Sequence, residues 1–151
     1  MVKSDQTMRK GIRYNPKIDR KNTKRMKEIV RKYGWPKISM VGINGSAGAW
    51  LLVQHADHDI KFQEHCLRLL KEAANKKEAH LKYVAYLMDR IFVNKKRPQI
   101  FGTQFYLNKN GEMIPRKIKD VKNLSRRRKK FGFGSFQIYQ KKLLNYYKRL
   151  R

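Results

Sequence analysis

Ser46-Ala47-Gly48-Ala49-Trp50-Leu51-Leu52-Val53-Gln54-His55-Ala56 decides the fold, because wound as a helix it has almost no polar side. A helix that is apolar all round belongs at the centre of a domain, covered by its neighbours. Upstream, Ile38-Ser39-Met40-Val41-Gly42-Ile43 is a short apolar entry, and Gly34-Trp35-Pro36 stops a preceding helix. That helix begins near Asp19, with Asp19 or Asn22 as its N-cap, and Met26, Ile29, Val30 and Tyr33 make its apolar stripe. Residues 1–18 are polar, basic and aperiodic, with Gly11 and Pro16 as breakers, and read as a flexible arm.

Downstream, two more stripes recur at helical spacing. Phe62, Cys66, Leu69, Leu70 and Ala73 mark a helix over about 60–75; Leu81, Val84, Ala85, Met88, Ile91 and Phe92 mark another over about 79–93. The period then changes: Gln99 to Leu107 reads as a strand, Asn108 to Gly111 as a turn, and Glu112 to Ile118 as a return strand that Pro115 keeps at an edge. Asp120 is expected to cap a short basic helix ending near Gly132. Ser135 is expected to cap a last helix with Phe136, Tyr139, Leu143, Tyr146 and Leu150 facing inward. The expectation is a mainly α protein, a compact helical domain of about five to six helices with one small β-hairpin over residues 19–151.

Lys and Arg number 38 against 11 acidic residues, a formal charge of +27, far beyond what solubility requires. Such a field attracts anions and points to a polyanionic partner, nucleic acid or a nucleotide. The charge sits at the chain ends: twelve cations fall between residues 1 and 32 and nine between 116 and 130, whereas 33–60 holds only Lys37. The run Arg126-Arg127-Arg128-Lys129-Lys130 fits phosphate contact; its alternative is a solvated helix face. No apolar stretch is long enough to span a membrane and the N-terminus lacks a secretory apolar core, so no membrane partner is expected. The single Cys66 excludes an intramolecular disulfide and suits the cytoplasm.

Polar residues concentrate where core is expected: Gln54, His55, Asp57, His58, Asp59 and Gln63; Asp89 and Arg90; and Gln99, Thr103 and Gln104. Buried polar groups must be paired, so such a concentration is either a structural network or a site. Asn22, Gly34-Trp35-Pro36, Val41-Gly42, Ala49 through Asp57, Phe62-Gln63, Ala85-Tyr86-Leu87-x-Asp89-Arg90 and Gln99-x-x-Gly102-Thr103-Gln104 together resemble a bacterial domain family of unknown function, over about Asp19 to Gly132. The resemblance implies a shared fold and a functional cluster in the motif's polar residues. It brings no activity with it, and the basic load looks like an addition to the family pattern.

His55 and His58 lie three apart and share a face if the helix continues past Ala56. They are candidate base and acid, with Asp57 beside them and Arg90 as the charge stabiliser, for metal-independent phosphodiester cleavage. Gln54, Gln63, Asp89, Gln99, Thr103 and Gln104 are candidates to hold a base or ribose, and Arg126, Arg127 and Arg128 to hold phosphate. No cofactor is expected. A divalent metal on His55, His58, Asp59 and Asp89 is the alternative, though this spacing is common by chance. Strand alternation would put Gln99 and Thr103 on one face and Gln104 on the other, so both sets line one pocket only if the chain bulges. The leading function is a nuclease or nucleotide phosphodiesterase. The alternatives are a binder that sequesters nucleic acid or nucleotide, and a basic toxin-like module neutralised by an acidic protein.

Overall fold

The computed structural model describes residues 16–149, so most of the expected arm, residues 1–15, lies outside the described residues, as does Leu150. The architecture is mainly helical, with six α-helices and a two-stranded antiparallel hairpin among the described residues. Two compact units divide the chain, one ending at Leu87 and the other beginning at Met88. No helix of the described residues is long and apolar enough to cross a membrane.

In the first unit, α1 spans Pro16–Tyr33 and so takes in the last residues expected of the arm. Pro16 suits a first helical position because its fixed φ is helical and its missing N–H would have had no partner there. Asp19 and Asn22 therefore lie inside the helix instead of capping it, and both are buried along with Thr23, Met26 and Val30. Gly34, with φ 71°, closes the helix through its N–H to the Val30 carbonyl at 2.9 Å. Tyr33, at the end of the expected stripe, is 56% exposed.

Helix α2, Ile38–Gln54, is kinked at Gly42, whose φ of 73° and ψ of 171° are not helical. Glu78 caps its start, accepting the Ile38 N–H on its carbonyl (3.0 Å) and the Ser39 N–H on its carboxylate (2.8 Å). Burial on all sides, expected of the central helix, is met only in part. From Ser46 on, Ser46, Gly48, Ala49, Leu52, Val53 and Gln54 are buried but Ala47, Trp50 and Leu51 are half-buried along one face, and before it Met40, Val41 and Ile43 are exposed. Helix α3, Ile60–Asn75, buries Phe62, Gln63, Cys66, Leu70 and Ala73, and α4, Leu81–Asn94, contributes Val84, Ala85 and Leu87 to this unit's core.

In the second unit, β1 (Phe105–Leu107) pairs with β2 (Met113–Pro115), Tyr106 opposite Ile114, across the Asn108–Gly111 turn. The strand expected from Gln99 is thus cut to its last three residues, since the backbone of 100–103 turns onto the carboxylate of Asp89. Asp120 does not cap the basic helix. It stands at φ 47° before a 3-10 turn, Val121–Asn123, and its carboxylate accepts from Asn123 Nδ2 and Arg127 Nη1. Then come α5, Leu124–Lys130, and α6, Phe136–Arg149, where Phe136, Tyr139 and Leu143 are half-buried but Tyr146 is 52% exposed. Phe101, packed on Phe131 with ring centroids 4.5 Å apart, Met113 and Leu124 form the core here.

Candidate functional site

In the first unit the polar residues gather where α2 ends and α3 begins. The amide of buried Gln63 donates to the carbonyls of Val53 (3.1 Å) and Gln54 (3.3 Å) and to Asp57 Oδ1 (3.4 Å), so it holds the last carbonyls of α2, which have no partner within the helix. Gln54, also buried, donates to the Tyr86 carbonyl at 3.3 Å. Because α2 ends at Gln54, the helical face that would have aligned His55 with His58 does not exist: His55 is the half-buried C-cap, and Asp57 and His58 stand exposed in the turn.

Asp59 caps α3, its Oδ1 accepting the Phe62 N–H at 3.0 Å, and its Oδ2 meets the Lys27 ammonium at 2.5 Å. The bond from Lys27 holds this carboxyl below its usual range, with help from Phe62 and against partial burial. Beside this pair opens a cleft of about 350 Å³ lined by Arg20, Thr23, Lys24, Lys27, His58 and Asp59. Arg20, Lys24 and Lys27 follow one another at i, i+4 and i+7, so they share one face of α1. Only their number had been read as meaningful; the signal that places them is that spacing. Among the described residues, no three His, Cys, Asp or Glu side chains are grouped as a metal ion would require.

In the second unit, Asp89 is fully buried on α4. Its carboxylate accepts the N–H groups of Ile100 (2.7 Å), Phe101 (3.1 Å) and Thr103 (3.0 Å), and the Thr103 hydroxyl (2.9 Å). Burial pushes the carboxyl above its usual range while these donors pull it down, and burial prevails. The turn depends on Gly102 at φ +70°, where a Cβ would come within 2.7 Å of the Phe136 ring. Gln99 clamps the next residues: Nε2 donates to the Gln104 and Arg116 carbonyls (2.9 and 2.8 Å) and Oε1 accepts the Gln104 N–H (2.8 Å). Gln104 in turn donates to the Thr103 hydroxyl (3.0 Å) and accepts from Arg90 Nη1 (3.2 Å). The bulge that would bring both faces of the expected strand together is therefore present, as a loop.

The three arginines of the basic run part ways. Arg126 is exposed. Arg127 binds the carbonyls of Ile100 (3.0 Å), Lys119 (2.5 Å) and Asp120 (2.9 Å). Arg128, 2% exposed, reaches the carbonyls of Phe101 (2.7 Å) and Gly134 (3.0 Å), with Phe133, Phe136 and Tyr139 around its guanidinium.

A mainly helical, strongly basic protein with a short hairpin, a carboxylate-anchored loop and a cation-lined cleft is the class these features define. The chain belongs to DUF6624, a family of unknown function whose model matches residues 5–150. No curated protein and no solved structure matches it significantly.

Proposed function

We propose that this protein acts on nucleic acid or a nucleotide in the cleft beside the Lys27–Asp59 pair, and that His58 there transfers a proton in phosphodiester cleavage. One observation carries the reading: an exposed imidazole lines the same cleft as Arg20, Lys24 and Lys27. Cations that hold a phosphate also oppose the charge that grows on it in the transition state. In this reading a neutral His58 takes the proton of the attacking hydroxyl or water. Arg20 and Lys24 face the phosphorane, the charge-stabilising part expected of Arg90, and the leaving oxygen takes its proton from water in the open cleft.

A second reading, a binder that sequesters its ligand, is favoured by the state of Asp59. Among the described residues the cleft's one carboxylate is already engaged by Lys27 and the Phe62 N–H, so it is not free to orient His58. Incubation with a panel of RNA, DNA and nucleotides, with product analysis, separates the two. Cleavage that His58→Ala abolishes while binding persists supports the enzyme; salt-sensitive binding with an unaltered ligand supports the binder. If no member of the panel is bound or altered, both fall, and an acidic protein co-purifying with the chain would then identify the partner. A cytoplasmic setting belongs to the same proposal.

A further inference from the structure

We propose that the ligand is a run of consecutive phosphates, the backbone of a nucleic acid strand, and not a single nucleotide; this rests on the polyanion reading just given. The cleft does not end at Lys27. Beyond the Lys27–Asp59 pair a second cleft of about 530 Å³ is lined by Lys27, Arg31, Lys61, Phe62 and His65 among others. The two clefts share Lys27 and Asp59, so they form one groove between α1 and α3, divided by that ion pair. Lys27 is fixed there twice over, by Asp59 and by lying 5.6 Å above the Phe62 ring.

The spacing of the cations decides between ligands. Arg20, Lys24, Lys27 and Arg31 advance by four, three and four residues along α1. At about 1.5 Å per residue these steps are roughly 6, 4.5 and 6 Å, and the row is roughly 16 Å long. With Lys27 held by Asp59, the remaining cations Arg20, Lys24 and Arg31 stand roughly 6 and 10 Å apart along the axis, so a row of this length meets several successive phosphates of a strand. A lone nucleotide could occupy one cleft and would leave the other's cations facing water. The charge balance agrees. Among the described residues Asp59 is the only carboxylate lining either cleft and is matched by Lys27, so Arg20 and Lys24 on one side, and Arg31 and Lys61 on the other, face the ligand. The other acids of α1 line neither cleft: Glu28 is bridged to Arg25 at 2.7 Å, and Asp19 is buried.

The test is fluorescence anisotropy of the full chain with a labelled mononucleotide, dinucleotide, tetranucleotide and hexanucleotide, repeated from about 50 to 200 mM salt. Affinity should rise at least about tenfold from the mononucleotide to the hexanucleotide. Lys24→Gln and Arg31→Gln, one in each cleft, should each weaken hexanucleotide binding several-fold and flatten its salt dependence by about 0.7 in log–log slope. Lys95→Gln with Lys96→Gln, exposed cations of the other unit, is the control for general charge loss. Groove variants that bind no worse than this control would overturn the proposal, as would a mononucleotide that binds as tightly as the hexanucleotide; the second outcome leaves the polyanion reading standing. If no length binds at all, that reading fails too. Because all the substituted side chains are exposed, an unchanged circular dichroism spectrum is expected, and it shows that a loss belongs to the groove.

Discussion

Thr103 grips Asp89 twice, through its backbone N–H at 3.0 Å and its hydroxyl at 2.9 Å, both on the same carboxylate oxygen. With the Ile100 N–H on the other oxygen and the Phe101 N–H shared between the two, this one buried side chain stands in for the strand ladder that residues 100–103 lack. Each buried donor left without its acceptor costs about 1–3 kcal/mol, and neighbouring losses do not simply add. Asp89→Ala is expected to destabilise the protein by about 3–5 kcal/mol in urea unfolding, with Asp89→Asn, which retains one acceptor oxygen, falling between it and wild type. A loss under about 1 kcal/mol for the alanine variant would mean that the loop is held by something else.

Arg128→Lys tests whether the basic run is one surface or two kinds of residue. The Arg128 guanidinium reaches the Phe101 and Gly134 carbonyls in two directions while packed among aromatic rings. A lysine keeps the charge but loses the planar fork and its stacking. The expected result is a stability loss of about 2–3 kcal/mol. Arg126→Lys, at an exposed position, should stay within about 0.5 kcal/mol of wild type. Equal effects at the two positions in a denaturant titration would contradict the division.

The helices could be read from the sequence because their burial follows a single period. Met26 and Val30, Cys66 and Leu70, and Val84 with Leu87 and Ile91 recur at three or four residues and are buried. The reading failed where a side chain replaces a backbone partner. From Gln99 to Leu107 the residues suit a strand, yet three of the N–H groups a strand would pair with its neighbour are taken by a carboxylate ten or more residues earlier. Nothing local to 99–104 encodes that. Gly102 marked only a possible bulge, and the polar character of Asp89 on an otherwise apolar helix face was the one hint of the partner.

Cys66 supplies a pH prediction with a fixed sign. Completely buried, its thiol is pushed up to about 12 from 9.0, first by desolvation and then by the negative charge of Asp59. A thiol raised in the folded state contributes stability fully below the unfolded value and loses it as pH climbs toward the folded one. The stability difference between wild type and Cys66→Ala should therefore shrink as pH rises from about 9 toward 12, whatever other groups titrate in both proteins. At neutral pH the thiol should react with Ellman's reagent only at the rate of unfolding. Immediate labelling of the native protein would show that the site is open.

The candidate site was legible in part. The sequence singled out the polar turn after α2, and His58 does line a cleft. What stayed hidden was which charges point where. Arg126, Arg127 and Arg128 are chemically identical in sequence, and the one clue sets only Arg126 apart: Arg127 and Arg128 follow the buried Leu124 by three and four residues and so lie on its face. Likewise the twelve cations of residues 1–32 read as a cloud of charge until α1 orders four of them into a row.

The two histidines should now separate in function, although their spacing made them look like a pair. His55 closes α2, where it is half-buried and part of the helix end; His58 is exposed in the cation-lined cleft. If cleavage occurs there, His58→Ala should lower kcat by at least about 100-fold, the usual worth of a positioned acid or base, with ligand affinity changed by no more than about twofold. His55→Ala should act mainly through stability, by about 1 kcal/mol, and its activity should follow the folded fraction. Turnover measured alongside thermal unfolding for both variants distinguishes the roles. A catalytic loss at His55 with no change in stability, and none at His58, would move the chemistry out of the groove and to the buried end of α2.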